Sequence, residues 1–171
     1  MRTIYMAIIC LAIVAFPLYV FYDLNGNSFS ISDRQPVLVV TDSMDGDEKG
    51  YRIDSFPSDT LVMVQHLPDN EVRYLGVGEV VSYRDGPLLL QHRIIQVNDD
   101  SFYVRGDNGH STDKVLFSDV NGVVVGTNVW LGHIMSWISG NFMLFLAIMF
   151  AACAGSLVLA IYRNNPKEAK A

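Results

Sequence analysis

Charge is missing from two stretches of this 171-residue chain. Thr3 to Tyr22 holds no Asp, Glu, Lys or Arg, and neither does Gly140 to Tyr162. Each run reaches the roughly 20 residues that cross about 30 Å of hydrocarbon. A simple soluble globule is therefore excluded, and two runs are too few for a large polytopic transporter. Cysteine is scarce as well: the two present, Cys10 and Cys153, both lie inside these runs. The segment between them has no disulfide and no thiol nucleophile, which excludes sortase-like transpeptidases and papain-like proteases. Both cysteines read as small apolar packing. Before the C-terminal tail the only lysines are Lys49 and Lys114.

The charges that are present sit unevenly. The ends carry Arg2, Arg163, Lys167 and Lys170 against Glu168 alone, so they are basic. The segment between the runs is acidic and accounts for the chain's net charge of −6. Lys and Arg next to membrane spans stay on the cytoplasmic side. Both termini are expected inside and the acidic segment outside, which also argues against nucleic acid as a partner. The first run lacks a small-x-small cleavage site, since Phe16 to Tyr22 is bulky and aromatic, so it reads as a retained anchor. Tyr5, Tyr19 and Tyr22, and Trp130, Trp137 and Tyr162, suit interfacial belts. The expected organisation is an anchor over 1–22, an outer domain over 23–139, a second span over 140–162 and a basic tail over 163–171.

The outer domain opens on a polar, turn-rich linker over 23–35. Short runs rich in Val, Ile and Tyr follow at Val37–Thr41, Thr60–Gln65, Glu79–Arg84, Leu88–Val97, Ser101–Arg105 and Gly122–Thr127, bounded by Gly, Pro, Asp and Asn. Asn98-Asp99-Asp100 reads as a hairpin turn. No long stretch outside the spans has a helical period, so the fold class is mainly β: an all-β domain flanked by two transmembrane helices.

Chemistry is carried by a few residues. His92 lies in a strand where alternation puts Leu88, Leu90, His92 and Ile94 on one face. An imidazole on an apolar face has its charged form disfavoured, which suits a general base; the ordinary alternative is a core histidine. Ser43 follows a hydrophobic strand on a turn that can expose its hydroxyl, or is a plain turn serine. Asp107 and Asp113 lie in Arg105-Gly-Asp-Asn-Gly-His-Ser-Thr-Asp113, a polar loop where a carboxylate can orient an imidazole or cap a turn. Arg105-Gly106-Asp107 also spells an adhesion tripeptide. His110 and His133 have no HxxxH spacing and no cysteine partner outside the membrane, so zinc has little support.

Taken in order, Ser43-Met44, then Gln91-His92-Arg93, then Gly106-Asp107-Asn108 with Asp113, all between an N-terminal anchor and a late second span, resemble type I signal peptidases. The archaeal type, akin to the catalytic subunit of the endoplasmic-reticulum complex, is the nearer match. The resemblance covers roughly Leu38 to Trp137, and Val124–Ile134 is similar to the family's closing segment. It implies a signal-peptidase-like all-β catalytic domain, a Ser43 nucleophile and His92 as general base where bacterial members use Lys. It also implies Asp113 as third member, Asp107 as the second acid of the box, and Thr41 with the Ser43 N–H at the oxyanion hole. Substrates would be signal peptides of pre-proteins with small residues at −1 and −3. The partners implied are the lipid bilayer and the protein translocation machinery, with no cofactor and no metal. Where the family has Ser-Met-x-Pro this chain has Gly46, which is expected to loosen the turn after the nucleophile. A later Gly-Asp stands as Ser58-Asp59, and Asp42 adds negative charge beside Ser43. The competing classes are a non-catalytic membrane-anchored β interaction module, an inactive signal-peptidase homologue and a self-cleaving Ser-Lys repressor-type protease. The last lacks a lysine in the required place.

Overall fold

A computed structural model describes residues 33–86 and 88–164, together with Leu11 and Ala15, both helical. The expected anchor over 1–22 otherwise lies outside the described residues, as do the linker over 23–32 and the tail beyond 164. The chain divides into two compact units, Ser28–Ser136 and one that includes Trp137–Ala171.

The first unit is built on one seven-stranded sheet. Its strands are β1 (Arg34–Leu38), β2 (Leu61–Gln65), β3 (Val80–Asp85), β4 (Leu88–Val97), β5 (Ser101–Arg105), β6 (Asp113–Leu116) and β7 (Val120–Asn128). They lie in the order β1-β2-β7-β3-β4-β5-β6, and every neighbouring pair is antiparallel. The mainly-β expectation is therefore met. β4 and β5 keep the bounds read from the sequence, and Asn98 N–H donates to Ser101 O (2.9 Å) across the expected hairpin turn. β3 and β4 close a tight hairpin in which Asp85 faces Leu88 and Gly86 takes φ +59°.

Both faces of the sheet are covered. Val80 and Val124 join a cluster with Val39, Met44, Ile53, Phe56, Val62 and Val64. Their neighbours Val81 and Val123 join Tyr83, Ile94, Phe102, Val104 and Val115. Adjacent strand residues point to opposite faces, so the two clusters flank the sheet. That is why β3 reads Val-Val-Ser-Tyr without a polar alternation, all four residues being buried.

Several expectations are corrected. β1 starts at Arg34, inside the expected linker, and ends at Leu38; beyond it Val39 still pairs by donating to Thr60 O (2.9 Å). The loop expected around Asp113 ends one residue earlier, because Asp113 opens β6 by pairing with Val104. The domain also contains helix: a short α1 (Asp69–Val72) and α2 (Val129–Gly140). α2 puts Gly132, Ser136, Ser139 and Gly140 on one face and Trp130, Leu131, Ile134, Met135, Trp137 and Ile138 on the other, a helical period of only 12 residues that runs directly into the second charge-free run. It starts where Asn128 Oδ1 accepts from Leu131 N–H at 2.8 Å, an N-cap bond. Ser136 Oγ donates to Asp59 Oδ1 (2.7 Å), and Asp59 adopts a left-handed φ of +57°.

In the second unit, α3 (Phe142–Asn164) occupies the second charge-free run. Its segment Phe142–Ala160 is long and apolar enough to cross a membrane, and none of it is buried. By length and composition it is the only such helix among the described residues.

Candidate active site

Ser43 sits in a single 3-10 turn, Asp42–Met44, closed by Asp45 N–H donating to Asp42 O (3.0 Å). The turn is anchored by Met44. That side chain is wholly buried among Val39, Ile53 and Phe56, and Phe56 N–H donates to Met44 O (2.9 Å). Burying such a side chain is worth about 1.5–3 kcal/mol, enough to fix where the turn lies. Its neighbour Ser43 is left partly exposed, and Ser43 Oγ lies 3.3 Å from Thr41 Oγ1.

The Gly-Asp-Asn box clamps this turn from behind, and each of its residues has a separate task. Gly106 passes so close to Ser43 that a Cβ there would collide with the Ser43 carbonyl oxygen. Asn108 donates from its N–H to Ser43 O (3.0 Å) and from Nδ2 to Asp42 O (3.3 Å). Asp107 ties the box to β4. Gly46 belongs to the same contact: a Cβ on it would come within 2.7 Å of Asp107 O. The turn after Ser43 is therefore packed closely at Gly46, rather than loosened as its glycine suggested.

Asp107 is buried and fully occupied. Arg93 grips it with two bonds, Nε to Oδ1 (2.8 Å) and Nη2 to Oδ2 (2.6 Å), and Ser55 Oγ donates to Oδ2 (2.8 Å). Arg93 Nη1 donates to the carbonyls of Ile53 and Gly78, both at 2.8 Å, and its guanidinium lies over the Tyr51 ring at 5.1 Å. Such a bidentate pair, with two further guanidinium hydrogens on backbone carbonyls, is a holding device. Asp107 thus receives a structural task here, and its burial also removes Arg105-Gly106-Asp107 as an exposed adhesion tripeptide.

His92 stands on the other side of β4 from Arg93, as alternation requires, with Ile94 and the partly buried Leu90 in the same apolar cluster. Its side chain is only 12% exposed. Nδ1 lies 2.8 Å from Tyr83 Oη and 3.6 Å from Asp113 Oδ2, and Tyr83 Oη lies 3.3 Å from the same carboxylate oxygen. Burial lowers the His92 pKa below its ordinary value, and the negative charges of Asp113 and Asp107 only partly offset this. At neutral pH the contact with Asp113 is therefore one between a neutral ring and a carboxylate, not an ion pair. Burial and the adjacent Asp113 push the Tyr83 hydroxyl pKa up, so it stays protonated.

The Ser43 turn lies against β4, but no hydrogen bond joins Ser43 Oγ to His92. An open cleft of about 880 Å³ lies on the other side of the clamp, lined by Asp45, Lys49, Tyr51, Arg105 and His110 among others; neither Ser43 nor His92 borders it. His110 and His133 are exposed, and His66 bonds to Asn121 O (2.9 Å) and Gln35 Oε1 (3.1 Å) in a bridge from β1 to the start of β7. Among the described residues no three His, Cys, Asp or Glu side chains converge as a metal set.

Sequence reasoning missed Tyr83, Ser55 and Tyr51. Tyr83 was the most accessible of these. The Asp-Gly hairpin sets Val81 opposite His92, and a residue two further along β3 shares that face.

No protein-family model matches the chain, and no curated protein matches it.

Proposed function

We propose that this chain is a membrane-anchored serine endopeptidase that removes signal peptides from exported pre-proteins. The reading is carried by one observation: a partly exposed Ser43 on a clamped turn lies against the strand that holds a largely buried, neutral His92 next to Asp113. The ordered resemblance to archaeal and endoplasmic-reticulum signal peptidases supports it, and so does the membrane-length apolar helix after the domain. In this reading both termini are cytoplasmic and the site faces outward, where signal peptides enter the bilayer. Anchorage raises the effective concentration of site and substrate without new contacts.

Ser43 Oγ attacks the scissile carbonyl while His92 takes its proton. The Ser43 N–H and Thr41 Oγ1 face the developing oxyanion. His92 then protonates the leaving amine, and water, deprotonated by His92, hydrolyses the acyl-enzyme. Asp113 stabilises the imidazolium formed in between. Small residues at −1 and −3 are the expected specificity.

The test is cleavage of a pre-protein bearing an Ala-x-Ala site by the full chain in detergent or vesicles. The unmodified protein is expected to cleave, and Ser43→Ala to lose on the order of 10⁴-fold or more in kcat. Undiminished cleavage by Ser43→Ala overturns the mechanism, and an inert unmodified protein points to an inactive homologue or an interaction module.

A further inference from the structure

The group nearest His92 Nδ1 is the Tyr83 hydroxyl, not a carboxylate. At 3.6 Å the Asp113 oxygen is outside hydrogen-bond reach of Nδ1, whereas Tyr83 Oη is well within it at 2.8 Å. Tyr83 Oη is also 3.3 Å from Asp113 Oδ2, so it stands between the two. The hydroxyl has one hydrogen to place. An ionised carboxylate can only accept, while an imidazole Nδ1 can accept or donate according to tautomer.

We propose that Tyr83 is a positioning residue: its hydroxyl donates to Asp113 and accepts the Nδ1–H of His92, which fixes the neutral imidazole with Nε2 bare. Its value for catalysis rests on the peptidase reading above; the tautomer does not. The opposite arrangement would have Tyr83 donate to Nδ1. It would leave Asp113 without that proton and put the ring hydrogen on Nε2, where the imidazole could not take a proton from Ser43. Asp113 then acts on His92 through the phenol, over a distance its own side chain does not span.

The fold makes this bridge in a specific way. Asp113 is on β6, two strands away from β4, and its side chain is 47% exposed. Tyr83 is on β3, the strand next to β4 on the other side, and is 4% exposed within the cluster that holds Val81, Ile94 and Phe102. Its ring packs at 57° to the imidazole with centroids 5.7 Å apart. A buried phenol therefore holds the ring from one side and reaches the half-exposed carboxylate on the other. A register shift in the β3–β7 ladder between Ser82 and Tyr83 falls at this point, and such bulges re-aim side chains.

The experiment is ¹⁵N-histidine NMR of the full-length protein at neutral pH, with the His92 signals assigned by their loss in His92→Gln. The expected pattern is a protonated Nδ1 and a bare Nε2. Tyr83→Phe keeps the ring and its packing, and is expected to raise the Nε2–H share several-fold. Asp113→Asn, which can donate to the phenol instead of accepting from it, is expected to shift the tautomer in the same direction and serves if Tyr83→Phe fails to fold. In the cleavage assay Tyr83→Phe is expected to lower kcat on the order of 10²-fold with KM unchanged. A bare Nδ1 in the unmodified protein, or an unchanged Nδ1–H tautomer in both Tyr83→Phe and Asp113→Asn, overturns the proposal. If the unmodified protein cleaves nothing while the tautomer pattern is as stated, it is the peptidase reading that fails and not the bridge.

Discussion

Two carboxylates six positions apart, Asp107 and Asp113, meet opposite environments. Asp107 is buried, and both of its oxygens are taken by Arg93, with Ser55 adding a third bond. Asp113 is half exposed, lies 3.3 Å from a phenol, and faces an imidazole that burial keeps neutral. Adjacent residues of β4, His92 and Arg93, point to opposite faces and so serve these two centres separately. A saturated ion pair holds the backbone still. A carboxylate with spare accepting capacity beside a titratable ring can follow a proton. Holding and reacting are thus assigned to different acids from one short stretch of sequence.

The largest test of this contrast is stability. Asp107→Ala leaves Arg93 buried without its anion and is expected to cost about 3–5 kcal/mol, read by chemical denaturation. Asp113→Ala is expected to cost no more than about 1 kcal/mol, because the side chain is already half in water. Equal losses would break the division between the two acids. Next in size is the clamp. Gly106→Ala forces Ser43 and its carbonyl away, and is expected to cost about 1–3 kcal/mol and to lower kcat, measured by thermal melting and the cleavage assay. A variant as stable and active as the unmodified protein would show that Gly106 does not hold the turn.

The smallest effect is in pH. The folded His92 pKa lies below its unfolded value of about 6.5, so the folded state binds fewer protons here. The contribution is complete above pH 6.5 and is lost as pH falls through the folded pKa, and activity that needs the neutral ring falls with it. Cleavage is expected to be flat from pH 7 to 8 with an inflection below 6.5, and His92→Gln is expected to flatten the acid limb of the stability curve. An inflection above 6.5 would mean that Asp113 and Asp107 outweigh burial.

Much of the fold was legible because its signals are local. β4 and β5 have regular apolar residues with a turn between them, and the two charge-free runs need only counting. β6 was not legible: Asp-Lys-Val-Leu is too short to show a period, and it is a strand because β5 offers it a ladder. α2 was hidden because its period extends over only 12 residues and merges with the charge-free run that follows. The roles of Asp107 and Asp113 stayed open for the same reason, since both sit in one polar stretch and only their partners differ. Gly46 looked like a loosened turn until Asp107 O was found against it.

By itself the sequence determined the charge-free runs, the mainly-β domain between them, and the residue types available for acyl transfer, because periodicity, polarity and protonation chemistry belong to the residues. Which acid holds and which faces the imidazole, the clamp on Ser43 and the phenol between His92 and Asp113 were decided only by the tertiary structure. Each depends on strand register and on distances of about 3 Å between residues far apart in the chain.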